Sequence, residues 1–140
     1  MAVVNHPVTT ALNYKVATVT AAVVGAADTD TLSDQISEIT LVPSSQSASW
    51  TSVNGKTIQD QGIATWALTL GMIQDVAASG MLRWLLTNEG KKCVFTMLLT
   101  TGVTATITAV ISPAQIGGPV QPGSLNSTVT LACDGKPVFS

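Results

Sequence analysis

IATWALTLGMIQDVAASGMLRWLLTNEGKKCVFTMLL, running from Ile63 to Leu99, decides the fold because it changes its period twice. In Ile63–Met72 the larger side chains Trp66, Leu68, Leu70 and Met72 fall on every second residue, so a pleated strand turns all four to one face and Thr65 and Thr69 to the other. After Asp75 the apolar residues Ala78, Met81, Leu82, Leu85 and Leu86 lie three and four apart, a stripe along a helix. The spacing predicts a helix over about 79–89. Ser79 or Asp75 is positioned to cap it by accepting from free amide groups, and Gly90 to end it in the left-handed conformation. From Lys91 to Leu99 the period of two returns, with Cys93, Phe95, Met97 and Leu99 on one side and Val94, Thr96 and Leu98 on the other. A strand apolar on both sides is expected between layers or beneath another subunit.

Outward from this unit the chain is mostly strands. Val16–Val24 alternates Ala17, Val19, Ala21 and Val23 against Thr18 and Thr20, and Val103–Ile111 alternates Val103, Ala105, Ile107, Ala109 and Ile111 against Thr104, Thr106 and Thr108. Gly102 is the expected turn joining Lys91–Leu99 to Val103–Ile111 as a hairpin. Ile36–Val42 alternates more weakly, and Pro43 is expected to stop it by removing a ladder donor. Leu125–Leu131 is a last strand, followed by a tail over 134–140 that starts with a turn. Met1–Pro7 lacks periodicity and reads as part of an extended arm over 1–10, Gly25–Ser33 as an acidic loop, and Pro113–Gly123 as irregular chain rich in proline and glycine. Between Pro43 and Gly62 lies a long polar stretch with a tight-turn signal at Asn54-Gly55, which suits a short hairpin. No repeat or linker divides the chain, so residues 1–140 read as one domain.

Charged residues make up only 10% of the chain, against roughly 25% in a typical soluble domain, and Thr and Ser fill the gap. A neutral, hydroxyl-rich surface carries little mutual repulsion and desolvates cheaply, which suits a protein whose surface is consumed by neighbours. The net charge of −2 and six scattered Lys and Arg argue against specific nucleic-acid binding, which needs clustered cations. The sequence shows no membrane-spanning run and no secretion signal, so an intracellular origin is expected. Two cysteines alone leave open whether Cys93 and Cys133 meet; buried free thiols are the expectation.

Catalysis needs convergent titratable groups, and here one His, two Cys and eight carboxylates are spread over arms and loops. His6 reads as a solvated or interface histidine rather than a base. Asp28, Asp30 and Asp34 lack the glycine and distal glutamate of a calcium loop and read as a solvated acidic loop. No enzyme, metal or cofactor is therefore expected. Asn126-Ser127-Thr128 matches a glycosylation triplet of a kind frequent by chance. Trp66 and Trp84 read as core, whereas Trp50, in the polar stretch, either folds back on the domain or inserts into a partner.

The order of these elements resembles the major tail tube proteins of long-tailed, non-contractile bacteriophages. The resemblance is carried by residues 79–90 (SGMLRWLLTNEG) with Val94-Phe95-Thr96, by Ile116-Gly117-Gly118, and by Asp134-Gly135-Lys136-Pro137, and covers roughly the second half of the chain. It implies a mainly β fold, a β-sandwich or barrel of two packed antiparallel sheets flanked by the one helix, with the long early loop over 43–62. It further implies hexameric rings stacked into a tail tube that conducts DNA during ejection. Implied partners are further copies of the chain, other tail proteins at the tube ends and a tape-measure protein inside, with DNA only in passage and no membrane. The implied location is the virion tail, assembled in the host cytoplasm. The matching place for the ring-to-ring contact is the early loop, with Trp50, Val53, Asn54, Gly55 and Lys56 as its candidates. Other readings are a capsid decoration or head–tail joining protein and a carbohydrate-binding β-sandwich module, for which Trp50 and Tyr14 are the aromatics on offer.

Within such a tube the hydroxyl faces are candidates for the bore. Thr18, Thr20, Glu38, Thr40, Thr104, Thr106 and Thr108 would line it with neutral groups that do not hold phosphate, Glu38 supplying its charge. Alternation alone leaves open whether these residues face a lumen or the outer wall.

Overall fold

The computed structural model describes residues 2–9, 12, 18–100 and 102–140. The expected start of the first strand at Val16-Ala17, Tyr14, and the ends of the arm at Met1 and Thr10 lie outside them. The strands are β1 (Thr18–Val23), β2 (Asp30–Thr31), β3 (Ile36–Ser44), β4 (Ser47–Thr51), β5 (Thr57–Gln61), β6 (Thr65–Ile73), β7 (Lys92–Thr100), β8 (Val103–Val110) and β9 (Asn126–Phe139), and the helix between β6 and β7 is α1 (Met81–Thr87). Seven strands form one antiparallel sheet in the order β2-β1-β7-β8-β9-β6-β3, and β4 and β5 form a separate hairpin.

The long β9 makes this sheet a sandwich. Its first half pairs with β6 from Ile73↔Asn126 to Ala67↔Ala132, and its second half pairs with β8 from Ala109↔Cys133 to Ala105↔Phe139. The strand thus belongs to two layers, β2-β1-β7-β8 and β6-β3, whose apolar faces meet in one core. The core holds Val19, Ala21, Cys93, Phe95, Met97, Ala105, Ile107 and Ala109 from the first layer and Leu68, Leu70 and Met72 from the second, with Val129 and Leu131 from β9 between them. The alternations read for these strands hold in their middles: Val19 and Ala21, Leu68, Leu70 and Met72, and Ala105, Ile107 and Ala109 are buried, Val23, Trp66 and Val103 towards the ends are half-buried, and the threonines between are half-buried or exposed.

The helix is shorter than expected and is capped differently. Gly80 is its N-cap and makes no side-chain bond, while the Met81 amide donates to Gln35 Oε1 at 2.7 Å. Ser79 does not cap, and Asp75 Oδ1 instead accepts from Ala77 N in the preceding turn. Met81, Leu82 and Leu85 enter the core; of the other residues expected on the same stripe, Ala78 precedes the helix and is exposed, and Leu86 is exposed within it. Gly90 takes φ +80° after the helix, as its position predicts, and donates to Ile111 O.

Four further expectations are corrected. The acidic loop contains β2, whose two residues pair with Thr20 and Ala21. Pro43 does not end β3, which continues to Ser44 with Pro43 opposite Trp66; β3 is an edge strand, where a missing amide hydrogen is tolerated. Asp134-Gly135-Lys136-Pro137 does not turn into a tail but lies within β9. Thr108 faces Asp134 and Thr106 faces Val138, so Gly135, Lys136 and Pro137 stand together opposite Ile107 as a bulge, with Gly135 at φ +88°. Finally, β7 is not enclosed between layers on both sides within the chain: it is central in the sheet with Cys93, Phe95 and Met97 buried, but on its outer side Val94 and Thr96 are half-buried and Leu98 exposed.

Candidate assembly surfaces

The polar stretch folds as a hairpin that stands off the sandwich. β4 and β5 pair from Ser47↔Gln61 to Thr51↔Thr57, and all ten of their residues are exposed. The Asn54-Gly55 signal is used: Gly55 takes φ +81° and donates to Ser52 O, and Ser52 N donates to Lys56 O at 2.8 Å. The Thr51 and Thr57 hydroxyls lie 3.2 Å apart, and Gln61 Nε2 donates to Ser45 Oγ at 3.0 Å near the base. Because side chains alternate, one face carries Ser47, Ser49, Thr51, Thr57, Gln59 and Gln61, and the other carries Trp50 directly opposite Ile58, with Ala48 opposite Asp60. Trp50 is 62% and Ile58 56% exposed, and Val53 at the tip is fully exposed. The five residues expected at a ring contact, Trp50, Val53, Asn54, Gly55 and Lys56, therefore all sit in one projecting element. Trp50 does not fold back onto the core. Ile58 and Asp60, on the same face, were not among the candidates, although the strand alternation around Asn54-Gly55 pairs them with Trp50 and Ala48.

The seven hydroxyl and acidic candidates fall on two layers. Thr18, Thr20, Thr104, Thr106 and Thr108 share the outer face of β1-β7-β8, where Thr31, Thr20, Thr96 and Thr106 form one row across four strands. The ion pair of this face, Lys92 Nζ to Asp134 Oδ2 at 2.9 Å, is open to solvent on both sides. Glu38 and Thr40 lie on the outer face of β3-β6-β9, where Thr40, Thr69 and Thr130 form a second row and the Thr69 and Thr130 hydroxyls are 3.4 Å apart. Glu38 stands opposite Gly71, and a Cβ on Gly71 would come within 3.0 Å of the Glu38 Cβ, so glycine gives the carboxylate side chain room to lie on the sheet. With the core between the layers, the two threonine faces look away from each other. Register between strands reveals Thr31, Thr96, Thr69 and Thr130 as members of these rows; single-strand alternation cannot.

The remaining polar groups hold the fold together. Trp84 Nε1 donates to Asp30 Oδ2 at 2.9 Å, and its ring meets Phe95 edge-on at 6.4 Å between centroids, which ties the acidic loop to the helix and core. Gln74 accepts from Gly117 N and donates to Gly117 O and Asn126 O, and Ser127 Oγ donates to Gln115 O, which pins the irregular segment that contains Ile116-Gly117-Gly118. Cys93 and Cys133 both face Ala109 from opposite sides, two strand spacings or about 10 Å apart, too far for a disulfide, and both are free. Burial, with the Asp30 carboxylate behind it, pushes the Cys93 thiol up to about 12, and burial raises Cys133 as well. Among the described residues no group of three or more His, Cys, Asp or Glu is placed to hold a metal, and no helix is long and apolar enough to cross a membrane.

No family model and no curated protein matches this sequence. Solved structures do. A chain in the tail of the empty GTA particle, determined with helical refinement and C6 symmetry, superposes with a TM-score of 0.67 at 13% identity, covering 93% of this chain and 99% of that one. A chain of the native gene transfer agent virion gives 0.63 at 13%, covering 93% and 99%. One from the sheath-tube complex of the extracellular contractile injection system PVC, in its extended state, gives 0.61 at 12%, covering 93% and 91%. The chain shares its fold with these chains of GTA particles and of a contractile injection system. The likeness runs over nearly the whole of both chains, so it includes the first half, beyond the motifs that carry the sequence resemblance.

Proposed function

We propose that this chain is the structural subunit of a tail tube of the long-tailed, non-contractile phage type, in which six copies close a ring and rings stack into the conduit through which DNA leaves the capsid. The observation that carries this is the end-to-end fold likeness to a chain of a tail determined with C6 symmetry, with a chain of the native GTA virion alike as well. The related fold occurs in contractile injection systems too, so the non-contractile assignment rests on the sequence resemblance. The role is architectural, without catalysis or cofactor. Its partners are other copies of itself, tail proteins at the tube ends and a tape-measure protein inside. It acts in the virion tail after assembly in the host cytoplasm.

The free edges of the sheet support a reading of which layer faces the bore. β2, at one edge, has two residues and offers little to pair with; β3, at the other, has nine. Copies arranged in a ring come closest at its inner circumference, so the layer with the long free edge, β3-β6-β9, forms the inner wall by pairing with its neighbour. Glu38, Thr40, Thr69 and Thr130 then face the bore, and Thr18, Thr20, Thr104, Thr106 and Thr108 face outward. Neutral hydroxyls and one acid per copy give DNA nothing to bind.

Negative-stain microscopy of the purified protein, dilute and concentrated, tests the function: rings that stack into hollow tubes are expected, and a strict monomer or a single ring that never stacks refutes it. Glu38→Lys and Thr106→Lys, introduced separately, test the wall. Glu38→Lys tubes are expected to eject DNA at least about tenfold more slowly while Thr106→Lys tubes behave as wild type, and the reverse pattern would exchange the two layers.

A further inference from the structure

Between the two layers, on the side away from the helix, the sandwich is incompletely closed. An apolar hollow of about 430 Å³ lies there, lined by Ile39 and Leu41 of β3, Trp66 of β6, Met97 and Leu99 of β7, Phe139 of β9, and Leu12 of the N-terminal segment. Its volume accommodates an aromatic side chain with an aliphatic one beside it. Lys136 stands at its rim, lifted there by the bulge in β9, and makes no ion pair among the described residues. The hairpin presents the complement. Trp50 and Ile58 project together from one face without cover, and Asp60 follows Ile58 on that face, likewise without an ion pair.

We propose that the hollow is the socket for the hairpin of a second copy of this chain, Trp50 and Ile58 filling the space between Leu41, Trp66, Met97 and Phe139, and Asp60 meeting Lys136 at the rim. This rests on the tube reading for the existence of an assembly and adds the receiving site. The apolar parts match in kind and size, and the charges beside them match in sign. Knob and socket are different surfaces of one chain, so the contact is heterologous: each copy gives one hairpin and takes another, and the series runs on from copy to copy. It also accounts for an exposed Trp on an element too small to be stable alone, since a two-stranded hairpin gains its order from what it docks against.

Two sets of variants test this. In a Cys133→Ala background, Ile58→Cys with Phe139→Cys should give, on oxidation of assembled protein, a covalent ladder of dimers, trimers and higher species on a non-reducing gel, while each single variant gives none. A cross-link confined to single chains would mean that each hairpin fills its own hollow, and overturns the proposal. Asp60→Lys and Lys136→Glu should each raise the concentration needed for assembly by about tenfold or more, and the double variant should bring it back to within about threefold of wild type. Tubes that form normally with no ladder and no rescue by the double variant refute the socket and leave the tube reading standing. Wild-type protein that forms no ring or tube removes both.

Discussion

In β6 the alternating residues Leu68, Leu70 and Met72 are fully buried between layers, while in β4 and β5 the same period of two leaves Trp50 and Ile58 facing each other in solvent. The two regions differ in what lies opposite. β6 has β9 and β3 on its flanks and the other layer across the core; the hairpin has only its own two strands. A residue pattern thus specifies a face, and the surrounding chain decides whether that face stabilises the monomer or waits for a partner. The sandwich should therefore carry the stability of the free chain and the hairpin almost none of it.

The largest effect expected within this contrast comes from the middle of the sandwich. Phe95 is completely buried and forms a T-shaped pair with Trp84, so Phe95→Ala should lower the unfolding free energy by about 3–5 kcal/mol through lost transfer energy and the cavity left behind. Urea unfolding of dilute protein measures it. A loss under about 1 kcal/mol would mean that the layers are not held together as described.

A smaller effect comes from the thiol in the same core. The unfolded chain releases the Cys93 proton near 9.0, whereas the folded chain keeps it up to about 12. Between these values the unfolded state binds fewer protons, so the stability is fully present below pH 9 and falls as pH rises toward 12. Compared with Cys93→Ala, the wild-type protein should lose an additional 1–2 kcal/mol, as an order of magnitude, between about pH 8 and pH 10.5. Equal pH dependence in the two proteins would place the thiol in contact with water.

β1, β6 and β8 were legible in the period alone because inner positions are apolar and outer ones mostly hydroxylated, and β7, apolar on both sides, was legible as an apolar run between Gly90 and Gly102. What the period could not reveal is pairing that ignores local chemistry. Asp30-Thr31 has no pattern of its own and becomes a strand only beside β1; Asp134-Gly135-Lys136-Pro137 has the composition of a turn yet is carried through by its register with β8. Pro43 is tolerated because β3 has an open side, which no single strand announces. The helix cap comes from Gln35, 46 residues before the amide it accepts from, beyond the reach of any local motif. For the candidate surfaces, Asn54-Gly55 and the isolated Trp50 were readable as a projecting turn with an aromatic. The division of the threonines between two layers was not, since alternation separates inside from outside but does not say which layer a strand joins.

The smallest expected effect is the one that most directly tests the contrast. Trp50 is a large aromatic, and removing such a side chain from a core costs several kcal/mol. Its ring, however, meets only its own hairpin, opposite Ile58, and is 62% exposed. Trp50→Ala should therefore change the stability of dilute, unassembled protein by less than about 0.5 kcal/mol. The hairpin should also be the first site nicked by protease in free protein and be protected after assembly, since an isolated two-stranded element opens easily until a partner covers it. If Trp50→Ala costs the free chain more than about 1.5 kcal/mol, the side chain already belongs to a core, and the hairpin folds onto its own sandwich. If protease cuts assembled and free protein alike, the hairpin stays uncovered in both, and a ring contact through Trp50 is excluded. A silent substitution in the free chain with a large defect in assembly is the combination that separates an element made for folding from one made for a neighbour.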